Sequence, residues 1–525
     1  MKKILAIVLV LFVFLSVLFS FQVFSAPYLV GDLDSDGFQT AKDLNLLKKA
    51  AGGVSVMEDI RPADINDDDQ LTATDVNLMV RFLAGVYVIV QPQEEKVFVG
   101  DYTVVYPENA TRYEIYAAEI LCDYVEDNCN IELTCVDDSA PEVEYEILIG
   151  NTNRKESSIT SELYDHQYLI MNEGSKIILH GKDYMIGGAV AALTYENLTE
   201  NNIIVENIPL KEVVVDYTPV EADSVILMIG DGMGYNQIKF TDFYMNNSAA
   251  MQSYNYDGFI ANSFPNRGEV TTYCVSDVKP NATYDKVVTD SAAAATALST
   301  GWKTQQKMLG INAMGNEVKN IREVAAELGL KTAVISTEVS TGATPAGFTV
   351  HHSSRSDAEE LLAQQLALLE NGEITYLKGD IQDNLLSDTK ECLDVISTDS
   401  EGFFVMIEEA YIDKACHKLG SDYTRDQLAH YVYRFDSAIE YAATFAASRP
   451  GTVLIVTADH ETGNLNMYGA LGNSGEHTGQ NVPVFALGYG TEIFNETVVD
   501  NTDIADFMAS VYGLNAFGGT VYVNE

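Results

Sequence analysis

Five short apolar runs constrain how this chain can fold. They are SVILMIG (224–230), KTAVIST (331–337), FFVMIE (403–408), TVLIVTAD (452–459) and VPVFALG (482–488), and they are rich in Val and Ile. A strand with one face in water alternates apolar and polar residues, so an unbroken run needs cover on both faces. Helical stretches such as NEVKNIREVAAELG and RDQLAHYVYRFDSAIEYAATFAAS lie between the runs. The pattern predicts an α/β domain over 218–525, a mainly parallel sheet sandwiched by helices. Ligand sites in such folds lie at the carboxyl ends of strands, and there this chain keeps its acids and histidines. Asp231 follows the first run, Glu408 ends the third with Asp413 and His417 beyond it, and Asp459 ends the fourth with His460 adjacent. His477 precedes the fifth run, and Thr344 and Arg355 follow the second. Mixed histidine and carboxylate sets suit zinc, and all-oxygen sets suit magnesium.

VTDSAAAATALSTG (288–301) adds a nucleophile. Its alanines start a helix at once, capped by Asp290 or Ser291. The Ser291 hydroxyl then sits where unpaired backbone N–H groups and the helix dipole favour an anion.

Together these blocks resemble the alkaline phosphatase family. The resemblance runs through VILMIGDGMG, VTDSAAAATALSTG, ATPAGF with a later SSR, FFVMIEEAYIDKACH, VTADH and HTGQNVPVFALG, in family order. It implies a phosphomonoesterase with two zinc ions and one magnesium ion, working through a phosphoserine on Ser291. Asp413, His417 and His477 would hold the first zinc, and Asp231, Asp459 and His460 the second. Glu408 and Thr344 with Asp231 would form the magnesium site, Arg355 would grip the phosphate, and Lys414 would reach it through water. Gly342 departs from the family, where many relatives place an acid or a histidine beside the third metal. Asp290 is expected to fix Arg355 and the cap. His351 and His352 are read as structural, Cys416 as a buried hydrophobe, and Trp302 and Tyr411 as packing residues. A phosphodiesterase or sulfatase-like hydrolase of the same superfamily is the first alternative, and a non-catalytic, scaffold-borne binding module the second.

The remaining segments give this chemistry an address. Lys2 and Lys3 precede an apolar run ending near a small-residue cleavage site, which predicts a signal peptide over 1–26 and a secreted protein without a membrane anchor after cleavage. Residues 28–88 hold a duplicated calcium loop. Asp32, Asp34, Asp36, Phe38, Thr40 and Asp43 form the first copy, and Asp64, Asn66, Asp68, Gln70, Thr72 and Asp75 the second. Alternate loop positions converge on a hard cation, with Phe38 and Gln70 at the backbone-carbonyl position, so two calcium ions are expected. Each copy is followed by a helix but has no full helix before it. The segment resembles a dockerin, which implies a cohesin domain of a scaffold protein as partner and attachment to a cellulosome-like complex. Asp69 replaces the turn glycine of the second loop. After a linker (89–96), residues 97–216 read as an α/β accessory domain resembling the non-catalytic domain before some glycosidase catalytic domains. Cys122, Cys129 and Cys135 could supply one disulfide.

The charge of −46, from 77 acidic and 31 basic residues, excludes nucleic acid as a partner and repels phosphate at long range. Any phosphate site therefore needs strong local positive charge, which metal ions can supply.

Overall fold

All five apolar runs are strands of one eight-stranded sheet. The computed structural model describes residues 97–523 except 199–201, 203, 205–207, 210, 211, 255, 281, 282 and 399, together with Leu46, Leu47 and Met79. The expected signal peptide, calcium loops and linker lie outside the described residues. Leu46, Leu47 and Met79 are helical and fall on the helices expected after the two loops. Among the described residues no helix is long and apolar enough to cross a membrane.

Residues 97–216 carry their own six-stranded sheet: β1 (Thr103–Tyr106), β2 (Thr134–Asp137), β3 (Glu146–Ile149), β4 (Gln167–Glu173), β5 (Lys176–Gly181) and β6 (Val214–Asp216), in the order β2-β1-β3-β5-β4-β6. The helix Arg112–Cys129 begins with a capping box between Thr111 and Glu114. No disulfide joins Cys122 to Cys135; the two thiols are hydrogen-bonded neighbours.

The strands that follow are β7 (Ser224–Gly230), β8 (Asn266–Thr271), β9 (Cys274–Val275), β10 (Lys286–Val287), β11 (Lys331–Ser336), β12 (Tyr376–Lys378), β13 (Phe403–Glu409), β14 (Thr452–Thr457), β15 (Glu461–Thr462), β16 (His477–Thr478), β17 (Val482–Leu487) and β18 (Val498–Asp500). The large sheet runs β12-β11-β13-β7-β14-β17-β8-β18. From β12 to β14 all neighbours are parallel, and β7, β13 and β14 are buried along their whole length. This is the two-sided cover that the unbroken runs require. Register aligns Ser336 with Glu408, Glu408 with Ile229, and Ile229 with Thr457. The residues just beyond these positions therefore emerge at one level of one sheet edge.

Within this mainly parallel sheet β17 is the exception, antiparallel to both β14 and β8. The chain leaves β14, forms the β15–β16 pair and re-enters the sheet from the same end, so β17 must run backwards. His477, which precedes a strand, thereby joins residues that follow strands.

The helix Arg425–Ser448 matches its predicted bounds and opens with a Thr424–Gln427 capping box. Every residue from Arg434 to Ser448 is buried. One side faces β7 and β14 of the large sheet and the other is covered by the helices Arg112–Cys129 and Ile186–Ala191. Gly187 permits that cover, since a Cβ there would lie 2.3 Å from the Thr444 carbonyl oxygen. Arg112 pairs with Glu440 at 2.9 Å across the same junction.

Candidate active site

Ser291 is the first residue of a ten-residue helix, Ser291–Thr300, that is buried on every side. A helix without a polar face needs small residues to pack all round, and the alanines provide them. Against Gly347 of the neighbouring helix Ala343–Gly347 the fit is tight, because a Cβ on Gly347 would approach the Ala295 Cβ to 2.5 Å. Asp290 is the N-cap, accepting from the Ala293 amide at 3.1 Å. Its other oxygen pairs with the Arg355 guanidinium at 3.4 Å. One carboxylate thus fixes both the helix mouth and the arginine.

The Ser291 hydroxyl lies 3.3 Å from His460 Nε2. Two groups that could hold a metal ion meet at this histidine among the described residues: Asp231, Asp459 and His460, and Asp413, His460 and His477. His417 extends the second group, with Nε2 3.2 Å from Asp413 and 3.1 Å from His477 Nε2. The short helix Tyr411–His417 puts Asp413 and His417 one turn apart on one face. His477 is held by the Thr289 carbonyl at Nδ1 (3.0 Å), which leaves Nε2 facing Asp413. His460 stacks on His477 with ring centroids 3.6 Å apart.

The charges here are unbalanced. Burial, then the neighbouring carboxylates, pushes Asp231 far above the ordinary aspartate range, and Asp459 is pushed up to about 6, mainly by burial. Burial also raises Glu408, with Glu338 adding to the effect. Asp413 runs the other way: burial would raise it, but hydrogen bonds from His417 and His477 hold it low. His477 is lifted to about 9 because Asp413 outweighs burial, while burial and the facing His477 keep His460 neutral. Asp231 Oδ1, Thr344 Oγ1, Glu408 Oε1 and Asp459 Oδ2 are buried without a hydrogen-bond partner among the described residues. Buried oxygens without partners are costly, and cations among them would balance both charge and coordination. The residues present therefore fit the zinc and magnesium expected from the sequence.

Other expected residues also fall near this edge. Thr344 lies next to Glu408, and Lys414 pairs with Glu338 at 2.9 Å over the Tyr411 ring. His351 is bound by Glu323 and the Gly310 carbonyl, and His352 by the Ser354 carbonyl, so both serve local structure. Cys416 is fully buried. Glu338, Ser336 and Thr462 were not singled out in the sequence. Thr462 donates to Asp413, and Ser336 donates to Glu408. Glu338 follows KTAVIST directly, so the strand-end rule that found Asp231 and Asp459 would have found it too.

A hydroxyl at a helix mouth, backed by shared histidine and carboxylate groups at the carboxyl edge of a mainly parallel sheet, joins a candidate nucleophile to two candidate metal-holding groups. Comparison with known proteins narrows the class. The family model for alkaline phosphatase matches residues 222–381 and 359–475. Alkaline phosphatase 4 of Bacillus subtilis is 25% identical over 350 residues, covering 55% of this chain and 71% of that protein. The Escherichia coli alkaline phosphatase is 37% identical over 134 residues, 26% of each chain. The solved alkaline phosphatase of the Antarctic bacterium TAB5 aligns at 27% identity and a TM-score of 0.47, covering 56% of this chain and 99% of that one. Residues 222–475 are an alkaline phosphatase family domain, a phosphatase-type hydrolase of that superfamily.

Proposed function

We propose that the chain is a phosphate monoesterase with Ser291 as its nucleophile. The observation that carries this reading is the placement of Ser291 Oγ 3.3 Å from the histidine shared by both candidate metal groups, with Arg355 tied to the cap of the same helix. Asp231, Asp459 and His460 would hold one zinc, Asp413, His417 and His477 the other, and Asp231, Thr344 and Glu408 a magnesium ion. When bound, these cations supply the positive charge that turns a hydroxyl into a nucleophile and balances phosphate. Ser291 Oγ attacks phosphorus, the bond to the leaving alcohol breaks, and a phosphoseryl ester forms that water then hydrolyses. The helix mouth turns N–H groups towards the bound anion. Arg355 suits two phosphate oxygens through its planar fork, and Lys414 adds a second positive charge.

Ser291→Ala should abolish phosphate release from p-nitrophenyl phosphate while zinc content stays at the wild-type level. Activity equal to wild type in that variant would sink the nucleophile assignment. A faster rate on bis(p-nitrophenyl) phosphate than on the monoester would favour the diesterase alternative. Residues 28–88 support a wider reading: a secreted enzyme carrying two calcium ions and docked through a cohesin domain to a cellulosome-like scaffold. Calcium titration of the full chain should then find two loop sites that Asp32→Ala and Asp64→Ala remove singly.

A further inference from the structure

Gly342 leaves a space beside the third candidate cation site, and the structure fills it from elsewhere. A Cβ on Gly342 would lie 1.9 Å from Glu338 Oε1 and 2.2 Å from its carboxyl carbon. The Glu338 carboxylate thus occupies the volume that a side chain at 342 would take. The backbone at 342 has φ −58° and ψ 162°, so any residue could stand there. Space alone keeps the two side chains exclusive.

Glu338 is also tied to the site by its neighbours. Its amide donates to the Ser336 hydroxyl at 3.0 Å, and that hydroxyl donates to Glu408. Lys414 grips Glu338 Oε2 at 2.9 Å, and the Glu338 side chain is only 13% exposed. Its charge acts on both Glu408 and Asp231. Glu408 and Thr344 are fully buried, and Glu408 Oε1 and Thr344 Oγ1 have no hydrogen-bond partner among the described residues. Glu338, Glu408, Asp231 and Thr344 therefore share one neighbourhood beside Lys414.

We infer that Glu338 is the outer carboxylate of a hard-cation site formed by Asp231, Thr344 and Glu408, reaching it through the space open at Gly342 and aimed by Lys414. A magnesium-type cation holds its water tenaciously, and an outer carboxylate accepts hydrogen bonds from that water and fixes its direction. The inference rests on the phosphatase reading for the site but concerns a residue that reading does not use.

The test is a manganese titration of the zinc-loaded full chain, with free Mn²⁺ read by electron paramagnetic resonance. Wild type, Glu338→Gln, Glu408→Gln and the double variant Glu338→Ala/Gly342→Asp are compared. Residues 28–88 give the same background in all four. Loss of an outer partner typically weakens metal affinity by about 10- to 100-fold, and that loss is expected for Glu338→Gln. The double variant, with a carboxylate returned to the same space from position 342, should regain affinity near the wild-type level. If Glu408→Gln loses the ion while Glu338→Gln binds as wild type does, this inference falls and the phosphatase reading stands. If wild type and Glu408→Gln titrate alike, there is no such cation site, and this inference falls together with the magnesium assignment while the Ser291 assignment stands. A double variant that folds and stays as weak as Glu338→Gln overturns the exchange of positions.

Discussion

His477 shows what a single carboxylate does to the chemistry around it. Asp413 faces His477 and His417 together and lifts His477 to about 9 against the effect of burial. Its folded value exceeds the ordinary 6.5, so the stability it lends the metal-free chain is full below about pH 6.5 and lost as pH rises through about 9. Metal binding runs the other way, because a metal must displace that proton. Apparent zinc affinity should climb as pH rises towards about 9, and chelator-competition titrations between pH 6 and pH 9 would check it. A flat profile would count against His477 as a ligand. Most of this site could be read from strand ends, because an acid or histidine after an apolar run is a local pattern. Thr462 and Ser336 could not be found that way. Their role is to hold Asp413 and Glu408 in place, and nothing in their local sequence marks a hydroxyl that bonds a residue some fifty or seventy positions away.

At the level of elements, the helices Ser291–Thr300 and Ala343–Gly347 carry Ser291, the proposed nucleophile, and Thr344, and they touch where Gly347 meets Ala295. Gly347→Ala should push the helices apart, costing about 1–3 kcal/mol as overpacking does, and urea unfolding would measure it. Activity should fall as well, since Ser291 and Thr344 would no longer keep their spacing. The five buried strands were legible because burial on both faces writes an unbroken apolar run. β8, β12 and β18 were not: β12 and β18 are three-residue edge strands, and β8 alternates buried and exposed residues. The direction of β17 was hidden too. A fully buried antiparallel strand has the composition of a parallel one, and only the path of the chain between β14 and β17 distinguishes them.

Across the whole molecule, Val99–Leu198 and Pro209–Glu525 form one compact unit although they hold two large sheets and two small two-stranded ones. The shared support is the helix Arg425–Ser448, whose second half is buried on all sides. The sequence marked this helix and its bounds, but its uniform burial depends on a partner distant in the chain. Val99–Leu198 should therefore melt together with the large sheet in calorimetry. Gly187→Val, which drives a side chain into the Thr444 carbonyl, should lower the transition temperature and split the single transition in two. One transition at the wild-type temperature would show that the junction does not couple the sheets.

The backward run of β17 has a practical consequence. The segment between β15 and β16 is pinned at both ends, with Glu461 opposite Thr478 and Thr462 opposite His477. Its tip, at Met467 and Tyr468, is exposed. Substitutions at that tip should leave His477 where it is, because the clasp at the base of the loop holds it from both sides.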